Sequence, residues 1–467
     1  MTRFMGPWAA GSIAGEHVRS TKIALLIVGM WLRAEKAGAG GFTIIEVGTR
    51  KTGMMTGIAR PDDLSAVYHN PAGLADQHGT RLHLSSGFSI VDADLKLKAW
   101  EGSDGYIDTP VGPDGYFEGN IQPTRYFGVM PMFAASSDFG FANGPVAALS
   151  LYVPDFIGAF MPEDAPSRYL VTEGYFIAGV TSLSLAWRLP EPLSRVCVGG
   201  SLGALYIRQE GKKWLNPLRL AHYEYRIHIV GEDWRPFYNL GVTVDLPGSV
   251  TFGASFIGGA SVEMKGRLDI ELAPGTETDL FSGVGGLAGN YRLKKMTAEV
   301  PPGLNLGLSW DIIPELEVAA DFRYWFYRVY EVQRIETNIT DVKPGLASFL
   351  TPETFNTPKE YEDSWTISLG ARARLFSSLA LDLMAGWSYD HSPAPSHTKS
   401  LDSPTVNLTG FSLGARYFLG EHWRFSATYY RYWYLYQEVT DSVLDPPQNS
   451  AFSGTVDTFS IQTEVVF

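Results

Sequence analysis

The chain has 467 residues, 45% of them hydrophobic and 13% aromatic, with a formal net charge of −13 and a single cysteine, Cys197. That length exceeds one ordinary soluble core, so it implies either two or three domains or one large barrel, whose circumference grows without a thicker core. The acidic balance argues against a nucleic-acid partner, and one cysteine excludes an intramolecular disulfide or a cysteine-rich metal site.

At the N-terminus, Arg19 and Lys22 precede the apolar run IALLIVGMWL, and Ala37-Gly38-Ala39 follows it. Positive charge, a short apolar stretch and small residues at its end predict a secretory signal peptide over residues 1–39, with an upstream extension. The run is too short for a membrane-spanning helix, which needs about 20 residues. Residues 40–80 are Gly-rich, carry short apolar patches and show no strand-length alternation. A segment this apolar needs somewhere to pack. At its end stands HNPAGLA, in which Pro71 fixes one backbone angle and Asn70 can bond locally.

Past residue 80 the hydropathy period is two, the period of strands. In ELEVAADFRYWFY, Leu316, Val318, Ala320, Phe322 and Tyr324 fall on one face, with Glu315, Glu317, Asp321 and Arg323 on the other. WTISLGARARLF opposes Trp365, Ile367, Leu369 and Ala371 to Thr366, Ser368, Arg372 and Arg374. Such faces suit a soluble sandwich or a membrane barrel equally. The punctuation decides between them. Short breaks at 136–144, 188–194, 245–249, 311–315, 376–379 and 419–423 alternate with longer polar segments at 208–235, 273–295, 331–363, 390–406 and 437–454. Short turns on one side and long loops on the other mark a transmembrane barrel. The expected fold is therefore all-β: a transmembrane antiparallel β-barrel of about 14 strands over 81–467, preceded by an N-terminal plug (hatch) over 40–80 inside the lumen. A barrel this wide leaks unless filled, and aromatic clusters such as YYRYWYLY fit an interfacial girdle. The chain ends FSIQTEVVF, an amphipathic last strand with a terminal Phe.

GGF and Glu46 near the mature start, then Asn70-Pro71-Ala72, then a barrel ending in Phe, resemble the FadL/TodX-type outer-membrane transporters of long-chain fatty acids and other hydrophobic compounds. Late stretches such as YEDSWTISLGARARL and WSYDHSPAP share the likeness. The resemblance implies passive uptake: capture in an outer-loop groove, binding in the lumen, and lateral release beside a kinked third strand when the plug moves. It also implies the cell outer membrane of a Gram-negative-type bacterium. The implied partners are hydrophobic small molecules, outer-membrane lipid with lipopolysaccharide, and the barrel-assembly machinery. No cofactor, metal or nucleic acid is expected, and the chain is expected to be a monomer.

Candidate residues follow. Phe42 matches the family's ligand-touching position, and Arg208, at the end of GALYIRQ, could meet a carboxylate or pair with a neighbouring acid. Trp214, Leu215 and Leu218 in one loop, and Leu280 and Phe281 in another, are candidates for capture or for loop packing. Asn70, Pro71 and Ala72 are expected to be a hinge where the plug becomes wall. Pro154, in the third strand PVAALSLYVPDF, either kinks the strand beside a lateral gap or ends it. The alternatives to a transporter are an outer-membrane enzyme of lipase-like type, or a general porin or adhesin. For the enzyme, GGSLG at Ser201 fits G-x-S-x-G but lies within an alternating run, without the strand-to-helix turn a nucleophile elbow requires.

Overall fold

The structure is a computed structural model and describes residues 47–123, 127–141, 143–216, 219, 223–272, 288–342, 354–376, 380–403 and 405–467. The expected signal peptide at 1–39, and Phe42, Leu218, Leu280 and Phe281, lie outside the described residues.

Alternation produces strands. The wall begins with β1 (Arg81–Leu97), β2 (Phe127–Ser137), β3 (Val146–Phe160), β4 (Glu173–Arg188), β5 (Val196–Leu215) and β6 (Tyr225–Leu246). Four staves follow that are each interrupted once. They are β7 (Val250–Ile257) with β8 (Ala260–Leu272), β9 (Gly289–Val300) with β10 (Gly303–Ile313), β11 (Leu316–Trp325) with β12 (Val332–Thr337), and β13 (Thr354–Pro358) with β14 (Ser364–Phe376). The wall ends with β15 (Leu381–Asp390), β16 (Leu408–Leu419), β17 (Trp423–Val439) and β18 (Ser450–Val466). β18 pairs antiparallel with β1 from Arg81↔Val466 to Leu97↔Ser450, which closes the sheet. The result is a closed antiparallel barrel of 14 staves.

The face that meets the surroundings identifies the medium. Leu84, Leu149, Leu183, Leu202, Leu240, Leu369 and Ile461 are exposed on the outside, while the polar residues opposite them are buried. A soluble sandwich would do the reverse. Trp187, Trp310 and Trp423 stand exposed near the short-turn rim, and Trp234, Trp387 and Trp433 near the other end, as interfacial girdles require.

Above the membrane the pattern inverts. On β5, Leu202 is 69% exposed outside, but Ile207 is 0% exposed and points inward. Ile227, Ile229, Leu293 and Met296 are likewise buried inside the upper ends of β6 and β9. Water has replaced lipid around these extensions, so the apolar face turns to the interior. The strands outrun the expected loop boundaries for the same reason, and the segment expected as a loop at 208–235 is mostly β5 and β6.

Residues 47–80 fill the lumen. They form α1 (Thr49–Met54), α2 (Ala66–His69) and a 3-10 turn, Pro71–Asp76. Val47, Leu64, Val67, Tyr68, Ala72 and Leu74 share one buried cluster with the wall residues Ala134, Tyr152, Ala178, Val180 and Ala186. The wall is flattened to receive them. A Cβ on Gly241 would collide with Asn70, and one on Gly370 would collide with Met54.

Candidate functional site

The plug's backbone is held by wall side chains at alternate, inward positions. Ser201 donates to the Val67 carbonyl at 2.9 Å, Asn239 to that of Tyr68 at 2.6 Å and Ser255 to that of His69 at 2.7 Å. Three successive carbonyls at the C-terminus of α2, which the helix itself leaves free, are thus satisfied. Ser201 therefore sits in mid-strand as a plug anchor, in keeping with the alternating run around it and not at a strand-to-helix turn. Asp321 accepts from the Gly57 and Ile58 N–H groups at 2.6 and 3.2 Å. Sequence reading placed Asp321 on a polar face but did not foresee these anchors; polar residues at every second lumen position were the available signal.

Asn70 is fully buried. Its Nδ2 donates to the Ile58 carbonyl at 2.9 Å and to the Val242 carbonyl of β6 at 3.1 Å, and its Oδ1 accepts from the Ala72 N–H at 3.2 Å. Pro71 then starts the 3-10 turn, where a missing N–H costs nothing. Asn70-Pro71-Ala72 is pinned to the wall, and the chain passes from plug to wall later, over 77–80, where the Gly79 N–H meets Asp138 at 2.8 Å.

A charge network joins the lower plug to the barrel. Arg50 forks onto Glu317, which also takes Arg372 at 2.7 Å and the Ser309 hydroxyl. Asp62 meets Arg372 and Arg416, each at 2.9 Å. Burial pushes the Asp62 carboxyl up, but Arg416, Arg50 and Arg372 outweigh it and hold the group far below the ordinary carboxylate range. Arg81 and Arg424 share Glu464 at 3.1 and 2.8 Å.

Above the plug lies a cavity of about 470 Å³, within the range of small-molecule sites. Phe176, Ile227, Ile229, Met296, Ile335 and Phe355 supply its apolar lining. Polar and charged groups line it too, Lys212, Lys213, Lys359, Glu210 and Asp402 among them. Gln333 donates to Gln209 at 3.0 Å, and Lys359, 2% exposed, reaches Ser400 at 3.0 Å and Asp402 at 3.9 Å. Burial raises the Asp402 carboxyl, yet the Lys359 ammonium and the Ser400 hydroxyl hold it below its ordinary value. None of these residues was foreseen.

The wall has a pairing defect at β3. The β2–β3 ladder runs only from Met132↔Tyr152 to Ser137↔Ala147, although β2 stays paired with β1 to Ile90↔Phe127. β3 continues to Phe160 against β4, with a register shift between Tyr152 and Asp155. Pro154 therefore lies inside the strand, not at its end, and Pro131 faces the same defect from β2. Neither proline has an N–H to offer a ladder.

Arg208 is corrected. Its neighbours Ile207 and Gln209 point inward, so Arg208 stands on the outer face, where it bonds Glu210 at 2.8 Å. The alternative of pairing with a nearby acid is the one realised. Trp214 belongs to β5, half-buried against the aromatic loop cluster of Trp100, Tyr106 and Tyr169, and not to an exposed loop.

A closed barrel with an apolar outer belt, filled by a hydrogen-bonded plug, defines an outer-membrane channel blocked from within. Residues 30–463 match the family described as outer membrane protein transport protein (OMPP1/FadL/TodX), and the chain belongs to that family. It is thus a transport protein of the outer membrane. No curated protein matches the sequence. The fold is similar to a crystal structure of a Pseudomonas aeruginosa FadL homologue, at a TM-score of 0.75 and 16% identity, covering 92% of this chain and 100% of that one. It is also similar to the Pseudomonas putida toluene transporter TodX, at 0.66 and 14%, covering 92% and 100%, and to the Ralstonia pickettii toluene transporter TbuX, at 0.58 and 16%, covering 89% and 97%.

Proposed function

We propose that the chain carries hydrophobic molecules passively across the outer membrane, and that long-chain carboxylates are among them. Ligand arrives at the outer loops, rests in the cavity above the plug, and leaves sideways through the β2–β3 defect when the plug shifts. The observation that carries this reading is the cavity itself. A largely apolar chamber stands over a plug that blocks an aqueous path, and of the three lysines that line it, Lys212, Lys213 and Lys359, Lys359 is held deepest, at 2% exposed. A carboxylate there could draw the Lys359 ammonium from Asp402, while the alkyl body covers Phe176, Met296 and Phe355. The solved toluene transporters share the fold and support a hydrophobic cargo. An aromatic hydrocarbon would use the apolar lining and ignore Lys359.

Uptake of radiolabelled oleate and toluene by cells lacking their own carriers tests both parts. Lys359→Met is expected to slow oleate at least tenfold and leave toluene within twofold. Oleate uptake unaffected by Lys359→Met overturns the carboxylate assignment. Failure of the unaltered protein to raise uptake of either compound overturns hydrophobic transport.

A further inference from the structure

The four interrupted staves break at one level. Gly258-Gly259 separates β7 from β8, Pro301-Pro302 separates β9 from β10, residues 326–331 separate β11 from β12, and 359–363 separate β13 from β14. Below the breaks, β10 has 11 residues and β11 has 10, the about 9–11 that span a bilayer as tilted strands. The breaks therefore mark the outer interface. β8, β9, β12 and β13 rise above it.

Among the described strands, ladders run past the breaks between β6, β7–β8 and β9–β10 and resume between β12 and β13, but they are interrupted between β9–β10 and β11–β12, and β13 has no ladder to β15. β8 and β7 follow β6 and meet β9 and β10 on either side of the glycine and proline pairs. On the far side, Lys359 and Tyr361 donate to the Glu331 and Tyr330 carbonyls, each N–H bond near 3 Å. Between β9 and the β11–β12 stave side chains pack against one another, Ala298 and Met296 sharing a buried cluster with Tyr327 and Tyr330, but the last backbone bond below is Phe326 N–H to the Pro302 carbonyl at 3.0 Å. The next above is Arg334 N–H to the Thr297 hydroxyl at 2.9 Å. No strand pair joins residues 297–302 to 327–334 in between, and Pro301 and Pro302 have no N–H with which to make one.

What stands at this break is mostly apolar; the exception is Arg328, which is drawn outward to Asp363 at 3.4 Å. The 3-10 turn Tyr327–Val329 bridges it. Tyr327 and Tyr330 are buried inward against Tyr361, at ring separations of 5.9 and 5.3 Å. Phe326 and Val329 are exposed outward. Tyr330 also lines the cavity, as do Met296 and Ile335, which close the break from above. No described residue of β2 or β3 lines that cavity.

We infer that the break between β9 and β11–β12 is a second side opening, through which a hydrophobic ligand exchanges between the cavity and the lipid of the outer leaflet. The 3-10 turn Tyr327–Val329 is its door. A turn of this kind closes with few ladder bonds, so it opens without unzipping the barrel. Phe326 and Val329 give the ligand apolar contacts between the interface and Tyr330, with the Arg328 guanidinium turned aside to Asp363. The opening rests on the hydrophobic-transport reading, and it adds a path distinct from the β2–β3 defect.

The test uses full-length protein in vesicles, in a Cys197→Ser background. Glu299→Cys with Val329→Cys is cross-linked by bifunctional methanethiosulfonates of graded length. Leu308→Cys with Ala320→Cys, register partners on β10 and β11, serves as a lock on sound wall. Locking the break is expected to slow oleate uptake at least tenfold, reversibly on reduction, while the control lock changes it less than twofold. Unchanged uptake through the locked break overturns the inference. If unlocked protein moves neither oleate nor toluene, the transport reading has failed, and labelling decides the opening separately. A Tyr330→Cys variant should then react at least tenfold faster with bilayer-dissolved pyrene maleimide than with a charged maleimide in water. Val300→Trp at the rim should remove that preference. No preference in the Tyr330→Cys variant overturns the opening.

Discussion

His69 shows how one side chain can tie a plug to its barrel. Its Nε2–H reaches the Val47 carbonyl at 2.7 Å, and Nδ1 accepts from Arg323 at 3.1 Å, an arrangement only the neutral ring can make. Burial pushes its pKa down to about 3, and the Arg323 guanidinium and Lys51 push the same way. The unfolded ring binds a proton near its ordinary pKa of about 6.5. A depressed folded pKa means that the stabilisation is complete above about pH 6.5 and is lost as pH falls toward 3. Opening of the plug should therefore become easier by up to about 1.4 kcal/mol for each pH unit below 6.5. Hydrogen exchange of amides 47–76 at pH 7.5, 6 and 5 would show it, with the wall amides as internal reference. A His69→Leu variant should have a less stable plug with a flatter response over that range. Equal plug protection at pH 7.5 and 5 in the unaltered protein would rule this account out. None of this was legible in HNPAGLA, where Pro71 drew attention and His69 had no visible partner. The partners lie 22 residues before it and 254 after it in the chain.

Strands were the most legible level, because a membrane forces each to advertise itself. Every backbone group must pair, every turn must be polar, and the outer face must be apolar. The expected short turns at 245–249 and 419–423 lie where β6 meets β7 and β16 meets β17. Period two also misled. Reading Arg208 as a partner for a ligand carboxylate requires it to face the lumen, but polar residues line the lumen only at membrane depth. At Ile207 the strand has left the lipid, and the inward face has become the apolar one. Nor could alternation reveal that glycines on the wall are seats for the plug, since a glycine carries no hydropathy signal. Gly241 supplies a test at this scale. Any side chain there would strike Asn70 Oδ1 and the Pro71 ring, whereas a Cβ at Gly200 would meet the flexible Leu240 side chain at 3.3 Å and the Asn239 carbonyl at an ordinary 3.6 Å. Gly241→Val should expel or loosen the plug and raise the ionic conductance of the barrel in planar bilayers at least tenfold. Gly200→Ala should conduct like the parent. Heat-modified gel mobility would establish that both barrels have closed, and a silent, closed Gly241→Val barrel would sink the argument.

At the scale of the whole molecule, barrel and plug are one object held by buried charge. The polar faces that alternation predicted on β11 and β14 are the wall's half of that network. Their partners were not legible, because nothing in a sequence states which lumen carboxylate faces Arg50. Glu317 stands at the centre, 2% exposed, between Arg50 and Arg372. Pairs so buried owe their strength to mutual compensation: removing one partner strands the other, at about 3–5 kcal/mol, while replacing both by apolar groups is often nearly neutral. Glu317→Gln should accordingly weaken the plug's attachment by that order and leave the ladder-bonded barrel closed, so the variant conducts in bursts. Arg50→Met added to Glu317→Gln removes one of the cations left short of a carboxylate, since Arg50 then keeps only Asp62, at 3.4 Å. The double variant should conduct less than Glu317→Gln alone, although it has lost more bonds. Buried groups are also little screened, so raising the salt concentration should not reproduce the single variant's bursts in the parent. Additive effects of Arg50→Met and Glu317→Gln on burst frequency would mean that the two groups act independently, and mutual compensation in this buried pair would then be ruled out.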